Sequence, residues 1–206
     1  QRQMCIRDRI VGEAPSADMR EWTANMFVEK VRTSIKEAMA DSVLLLNTSS
    51  RTYIPFVELG ETSEYYHHDM YHLLAFRSIE ALQQIEGLDR ATPVEAYSED
   101  TSSKKQSPVK QDIERIYENM LTSYKAKGDK EGCLLTNLNY LSWKRDSSKS
   151  FREPFSVKKG GTYMMTVDPY ETGLDALKTE YKSSDLCAEV YLAQANYMTV
   201  SYTHLR

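Results

Sequence analysis

The sequence predicts an all-α protein, built as an irregular array of antiparallel helical hairpins similar to a tetratricopeptide α-solenoid. Apolar residues recur at steps of three to four along most of the chain. Glycine or proline marks the expected helix boundaries, and short polar turns join two pairs of amphipathic segments. The pair starts, near Asp112 and Pro169, are much further apart than the roughly 34 residues of a regular repeat. The array is therefore expected to be irregular.

Charge and composition disfavour several other classes of protein. The 206 residues carry 26 Lys and Arg against 30 Asp and Glu, a formal net charge of −4, whereas nucleic-acid-binding domains usually have a basic surface. The longest aliphatic run, residues 43–46, is far shorter than the about 20 residues of a membrane-spanning helix. Three cysteines without CxxC spacing predict no disulfide framework.

The two ends of the chain are treated separately because they resemble translated sequencing-adapter ends. The chain begins with Gln1 and shows no charged-then-apolar signal segment. We predict this division: an artefactual tail at 1–9, a helical segment at 10–90 with an extended stretch near 48–66, a polar linker at 91–108, two helical hairpins over 109–198 and an artefactual tail at 199–206.

The first half is predicted to contain two helices around the extended stretch. Asp18 and Glu21 have capping-box spacing and predict a helix that continues to about Leu46. Pro55 has a fixed φ and restricts the residue before it, so the chain is expected to be extended there. A second helix is expected from about residue 68 to residue 87.

The first predicted hairpin pairs an apolar stripe at 113–124 with a return stripe at 133–143. Gly128 is expected to end the first helix, and Asp129 is expected to cap the second. A polar connection at 147–166 follows, with a turn at Gly160-Gly161. Two short-linked amphipathic helices pack as antiparallel neighbours.

The second predicted hairpin begins near Pro169, which suits the first turn of a helix. Its turn is expected at 183–185, followed by a return stripe that includes Cys187 and Val190. Small residues on the return stripe favour close stacking of helices. Cys187 and Cys133 are both expected to be buried thiols.

One histidine motif could hold a metal. His68 and His72 are four residues apart, so on a helix their imidazoles would share a face. Asp69 stands where the H-E-x-x-H motif of zinc proteases has its glutamate. A third ligand would have to come from Glu95 or Glu99. These residues define a metallohydrolase hypothesis.

The same motif also has a purely structural interpretation, which we favour. In it, Asp69 caps the helix, His67 and His68 are solvated, and His72 is a hydrogen-bonded boundary residue. No catalytic residue, metal or cofactor is predicted from this interpretation.

The chain contains 14 tyrosines, against 5 Phe and 2 Trp. Tyrosine has an apolar body and a polar tip, which suits half-buried helix interfaces and also recognition surfaces. We favour packing. The tyrosines concerned are Tyr65, Tyr66, Tyr71, Tyr117, Tyr124, Tyr140, Tyr170, Tyr181, Tyr191 and Tyr197.

Several motifs occur in a fixed order along the chain, at 18–30, 41–46, 53–57, 68–74, 116–120, 135–136, 140–144 and 187–192. Together they resemble the helical region that precedes the β-sandwich domains in large alpha-2-macroglobulin-like proteins of Bacteroides-type bacteria. The resemblance covers about residues 13–198.

The resemblance implies inhibition of peptidases in the periplasm or cell envelope, by a trap whose bait region is cut. Some members carry a thioester cysteine, but the C-x-E-Q string is absent here, since Cys187 precedes Ala188-Glu189-Val190. No functional residue is therefore carried over. The implied partners are downstream β-sandwich domains of the same protein and, through the full-length protein, proteases. No nucleic acid is implied.

Three functions follow as hypotheses. The first is a non-catalytic helical scaffold or interaction module of such an inhibitor. The second is a free-standing helical-repeat module that binds a protein or peptide in a tyrosine-lined groove. The third is the metallohydrolase that uses His68, Asp69 and His72.

Overall fold

Helices dominate the computed structural model, which describes residues 18–54, 56–60, 65–86, 88, 107–147, 155–159 and 163–203. The predicted all-α class is confirmed, while the repeating solenoid arrangement stays a prediction. The helices are α1 (Ala24–Ala38), α2 (Ser42–Asn47), α3 (Met70–Ile85), α4 (Pro108–Lys127), α5 (Lys130–Ser147), α6 (Pro169–Glu180) and α7 (Cys187–Thr203), with 3-10 turns at Met19–Glu21 and Ser50–Tyr53.

The single helix predicted from Asp18 to about Leu46 is wrong, because it is three separate elements. Asp18 caps only the 3-10 turn, where its carboxylate accepts from the Arg20 N–H. Thr23 then caps α1 through the Met26 N–H, and Asp41 caps α2 through the Leu44 N–H. Each new cap favours a fresh helix start over continuation.

The polar connection predicted at 147–166 is also corrected. Strands β1 (Phe155–Lys159) and β2 (Tyr163–Val167) pair there as an antiparallel hairpin. The five-residue strands, Phe-Ser-Val-Lys-Lys and Tyr-Met-Met-Thr-Val, carry no regular alternation of apolar residues that would have indicated them. The predicted turn at Gly160-Gly161 lies outside the described residues.

The chain divides into two compact units, Gln1–Glu118 (unit 1) and Asn119–Arg206 (unit 2). The division falls within α4. Residues 91–106 of the predicted linker lie outside the described residues.

In unit 1, α1 and α2 pack on α3. Asp69 caps α3 close to the predicted start, and Ile54 is extended as predicted. The buried apolar side chains of the unit come from α1, α3 and the first half of α4: Val28, Tyr71, Leu73, Ala75, Ile79, Leu82, Val109, Ile113, Ile116 and Tyr117.

A buried carboxylate also joins two helices of unit 1. Asp112 on α4 accepts from Arg32 Nε on α1 at 2.5 Å and from Arg115. Burial acts to lower the pKa of Arg32, but the hydrogen bonds to Asp112 and Glu29 outweigh it, so the net pKa is raised. The guanidinium therefore stays charged at every pH of interest.

The turn between α4 and α5 in unit 2 has the predicted residues in the predicted roles. Gly128 has φ of 70°, a left-handed conformation that suits glycine after a helix. Asp129 caps α5 by accepting the Gly132 N–H at 2.9 Å. A Cβ on Gly132 would lie 2.7 Å from Tyr124 Cδ1, so the chain after the turn approaches α4 closely.

The core of unit 2 is built from α5, α6 and α7, of which α5 packs on α6 and α6 packs on α7. A Cβ on Gly173 would lie 2.6 Å from Leu141 Cδ2, so glycine permits the close approach of α5 and α6. The buried cluster consists of Leu134, Tyr170, Leu174, Leu177, Tyr181 and Val190.

The termini of the chain differ in how much of them the structure describes. Helix α7 extends to Thr203, within the tail predicted at 199–206, whereas the tail predicted at 1–9 lies outside the described residues. In the described part of the chain, no helix combines the length and apolar character that crossing a bilayer requires.

Candidate functional site

A short backbone pairing joins the segment after α2 to the segment before α3. The Ser50 N–H donates to the His68 carbonyl at 3.0 Å, and the Met70 N–H donates to the Thr48 carbonyl at 2.9 Å. Ser49 and Asp69 therefore form an isolated antiparallel bridge. Ser50 is buried by this pairing.

Asp69 has two roles next to that bridge. Its Oδ1 accepts the His72 N–H at 2.9 Å, which caps α3. Both of its carboxylate oxygens also contact His72 Nδ1, at 2.8 and 2.9 Å. Since an ionised carboxylate only accepts, Nδ1 of His72 carries the proton in this pair.

His67 lies just before the bridge in the sequence, and it is buried. Its side chain is 1% exposed, and its ring lies 4.7 Å from the ring of Phe76, centroid to centroid. Burial lowers the pKa of His67 to about 4, and His72 adds to the effect, whereas Asp69 opposes it. His67 is therefore neutral at neutral pH. We call His67, Asp69 and His72 the histidine cluster.

The tyrosine beside the cluster is also perturbed. Tyr71 is buried, and its pKa is raised, first by burial and then by the charge of Asp69. The rings of Tyr71 and His72 meet edge to face, with centroids 5.4 Å apart. The Tyr71 ring therefore packs against the imidazole that contacts the Asp69 carboxylate.

The metal hypothesis does not fit this geometry. Helix α3 begins at Met70, so His68 precedes the helix and does not share a helical face with His72. His68 is exposed, while His72 is fully buried against Asp69. Within the described residues no set of three His, Cys, Asp or Glu side chains is placed to hold a metal ion.

The other glutamates that follow the motif either pair elsewhere or lie outside the described residues. Glu80 pairs with Arg77 at 2.9 Å, and Glu86 pairs with Lys110 at 3.3 Å. Glu95 and Glu99 lie outside the described residues.

The structural interpretation of the motif is correct for Asp69 and His68. It is wrong for His67, which was expected to be solvated but is buried, and His72 is hydrogen-bonded as expected but is fully buried and not at the boundary. The sequence gives little signal for the burial of His67, whose ring packs on Phe76 of α3.

Most of the predicted tyrosines pack inside the protein. Two are half-buried, Tyr66 and Tyr197, and two are exposed, Tyr65 and Tyr191. The other six are buried: Tyr71, Tyr117, Tyr124, Tyr140, Tyr170 and Tyr181. The packing interpretation holds for these six tyrosines. They are not available to line the groove that the peptide-binding hypothesis required.

The predicted burial of the two thiols holds only for one of them. Cys133 is buried, whereas Cys187 is half-buried with its Sγ 3.9 Å from the Lys178 carbonyl oxygen. The pKa of Tyr181 is raised, first by burial and then by its proximity to Cys133.

Large apolar side chains are exposed in the sequence on either side of residues 48–50, and the sequence did not predict this exposure. Val43 and Leu44 on α2 are 68% and 61% exposed, and Phe56 is 89% exposed. Tyr53 and Ile54 are also exposed. A six-residue helix with three consecutive leucines after a valine cannot bury all of them on one face, and this was the available signal. We call Val43, Leu44, Tyr53, Ile54 and Phe56 the apolar surface segment.

No family model matches this chain, and comparison with curated proteins and with solved structures found no match.

Proposed function

We propose that this chain is a non-catalytic helical interaction module of a larger protein, and that it binds through the apolar surface segment. The observation that carries the proposal is the exposure of the five apolar side chains between residues 43 and 56. Several large apolar side chains left exposed along one short segment are typical of a site that another protein covers.

The apolar surface segment is attached firmly enough to act as a binding surface. Asp41 caps the helix that carries Val43 and Leu44, and α2 packs on α3. The bridge between Ser49 and Asp69 fixes the chain that leads to Tyr53. Ordering of these elements before binding lowers the entropy cost of association.

The resemblance to alpha-2-macroglobulin-like proteins supplies the partner in this proposal. The larger protein is a cell-envelope peptidase inhibitor, and a downstream β-sandwich domain covers the apolar surface segment. Proteases are then targets of the full-length protein and not of this module alone.

The intact gene provides the first test. We expect β-sandwich domains to be encoded downstream of this region. A complete gene that encodes no such domain would contradict the assignment to this kind of inhibitor.

Binding between the separately expressed parts provides the second test. We expect Leu44→Ser and Phe56→Ser each to lower the affinity of this chain for the adjacent β-sandwich domain roughly tenfold or more, measured by isothermal titration calorimetry. Tyr191→Ser is the matched control, since Tyr191 is a 55% exposed aromatic residue of unit 2. Equal affinities for all three variants and the original chain would rule out the apolar surface segment as the interface.

A further inference from the structure

We propose that the exposed face of α7 is a self-association surface, on which α7 of a second copy of this chain lies antiparallel to it. The inference concerns unit 2. It does not depend on the proposed function, which uses the apolar surface segment of unit 1.

Helix α7 has one face that is already packed within unit 2. Val190 is fully buried in the buried cluster of that unit, and Ala193 and Tyr197 pack against the cluster. The hydroxyl of Tyr197 also donates to the carboxylate of Asp168, the residue that caps α6. These contacts fix which face of α7 points inward and which face meets solvent.

The opposite face of α7 is also apolar, but it is exposed. Its residues recur at steps of three, four and three, which places them in one line along a helix. Tyr191 and Met198 are 55% and 43% exposed, and Leu192 beside them is 57% exposed. We call Ala188, Tyr191, Ala195 and Met198, all of them exposed, the outer stripe.

The composition of α7 differs from that of an ordinary surface helix. Glu189 is the single charged residue of this 17-residue helix. Surface helices usually carry charged and polar residues opposite their buried face, whereas helices that are apolar all round are covered on both sides. The outer stripe therefore has the character of a helix face that packs against another helix.

The order of small and large residues in the outer stripe favours a second copy of the same helix. A two-fold axis near residue 193 places Ala188 opposite Met198 of the second copy, and Tyr191 opposite Ala195 of the second copy. Every layer of this antiparallel pair joins a small residue to a large one, which fills the space between two helices evenly. A parallel pair would instead stack Tyr on Tyr and Ala on Ala, so that crowded layers alternate with empty ones.

The side chains that border the outer stripe are apolar or already paired. Leu192 extends the apolar surface on one side. On the other side, Lys178 of α6 holds its Nζ 4.8 Å from the centroid of the Tyr191 ring. That Nζ also contacts Gln194 at 3.0 Å and Asp175 at 3.6 Å. Since the Tyr191 ring is positioned before association, it loses less entropy when a second copy binds.

The length of the outer stripe sets the strength of the pair. Residues 188–198 form about three helical turns, so the contact lies at the small end of specific protein interfaces. We therefore expect a reversible dimer with a Kd on the order of 10–100 µM. In sedimentation equilibrium the average mass should rise with concentration from the 23.7 kDa of one chain towards twice that value.

Two variants test the layers of the antiparallel pair. Tyr191→Ala leaves small residues facing each other in two layers and should raise the dimer Kd about tenfold or more. The double variant Tyr191→Ala with Ala195→Tyr exchanges the two sizes and should return the Kd to within about threefold of the original value. Both positions are exposed in the single chain, so neither change removes a buried contact of unit 2.

A control variant and a direct measurement complete the experiment. Phe56→Ser changes an exposed aromatic residue of the apolar surface segment and should leave the dimer Kd unchanged. In a mixture of isotope-labelled and unlabelled chains, we expect an intermolecular NOE between the Met198 Cε methyl group and the Ala188 Cβ methyl group of the second copy.

Three outcomes contradict this proposal. One is the mass of a single chain at every concentration up to about 0.5 mM, well above the expected Kd. Another is a double variant that associates as weakly as Tyr191→Ala, which excludes the antiparallel register. The last is loss of the dimer in Phe56→Ser, which locates the contact in unit 1. If Tyr191→Ala does not fold, the NOE measurement decides, and a dimer without that NOE overturns the proposal.

Discussion

The two compact units bury different kinds of side chain. Among the described residues, the buried polar or charged residues of unit 1 are Ser50, His67, Asp69, His72, Ser78 and Asp112. In the described part of unit 2 there is one, Thr136. Thr136 donates to the Gly132 carbonyl of its own helix at 2.7 Å and needs nothing from another element. Buried polar groups therefore join segments in unit 1, whereas the buried side chains described in unit 2 are almost all apolar and its hydrogen bonds between elements are only partly buried.

This difference has a physical consequence for how each unit responds to change. Buried hydrogen-bonded charges lose much of their stabilisation when one partner is removed or protonated. A close contact between a glycine and a large apolar side chain does not change with pH. A methyl group added at the glycine, as in a change to alanine, would disturb it. The chain has two tryptophans, Trp22 in unit 1 and Trp143 in unit 2, so single-tryptophan variants can report unfolding of each unit.

The largest effect is expected at Asp69. Asp69→Ala removes the cap of α3 and the partner of His72 Nδ1, and should lower the free energy of unfolding of unit 1 by about 3 kcal/mol. Asp69→Asn keeps an acceptor for the cap and should cost about half as much. Urea unfolding followed by Trp22 fluorescence measures both, and equal stability of the two variants would contradict this account of the cluster.

The matching change in unit 2 is Gly132→Ala. The new Cβ would collide with the buried Tyr124 ring, so we expect a loss of about 2 kcal/mol in unit 2 after the gain in helix propensity. Gly173→Ala meets only the end of Leu141, which is half-buried, and should cost less than about 1 kcal/mol. The reverse order, measured by urea unfolding followed by Trp143 fluorescence, would show that Tyr124 moves more easily than Leu141.

A smaller effect is expected when Asp112 loses its charge. Asp112→Asn should lower the free energy of unfolding of unit 1 by about 1.5 kcal/mol, because Arg32 is largely buried and loses a charge-assisted hydrogen bond. Arg115→Gln is the control, since the Arg115 side chain is 57% exposed and its pair contributes less than about 1 kcal/mol. Similar losses in the two variants would indicate that burial of the pair is unimportant.

The smallest effect on stability is expected on the apolar surface segment. Phe56→Ser should change the unfolding free energy of either unit by less than about 0.5 kcal/mol, because the ring is almost fully exposed. Leu73→Ala is the contrast, a buried truncation that should cost about 3 kcal/mol. A large loss in Phe56→Ser, measured by urea unfolding, would mean that the ring packs within unit 1.

Features that depend on neighbours in the sequence were predictable. The Gly128-Asp129 turn, the cap at Asp69 and Pro169 at the start of α6 follow from local backbone preferences. The division of the first helix was missed although Thr23 and Asp41 could have signalled it, because a continuous apolar stripe outweighed them. The β-hairpin was missed because each strand is only five residues long and its apolar residues do not alternate regularly.

The sequence alone determined the helical class and most of the helix ends, because these depend on residues within four positions of one another. The tertiary structure decided which titratable side chains are buried away from solvent. His67 and His68 are adjacent, yet His67 is buried with its ring against Phe76, whereas His68 is exposed. Burial is a property of distant segments that meet, so an adjacent pair of identical residues can have opposite chemistry.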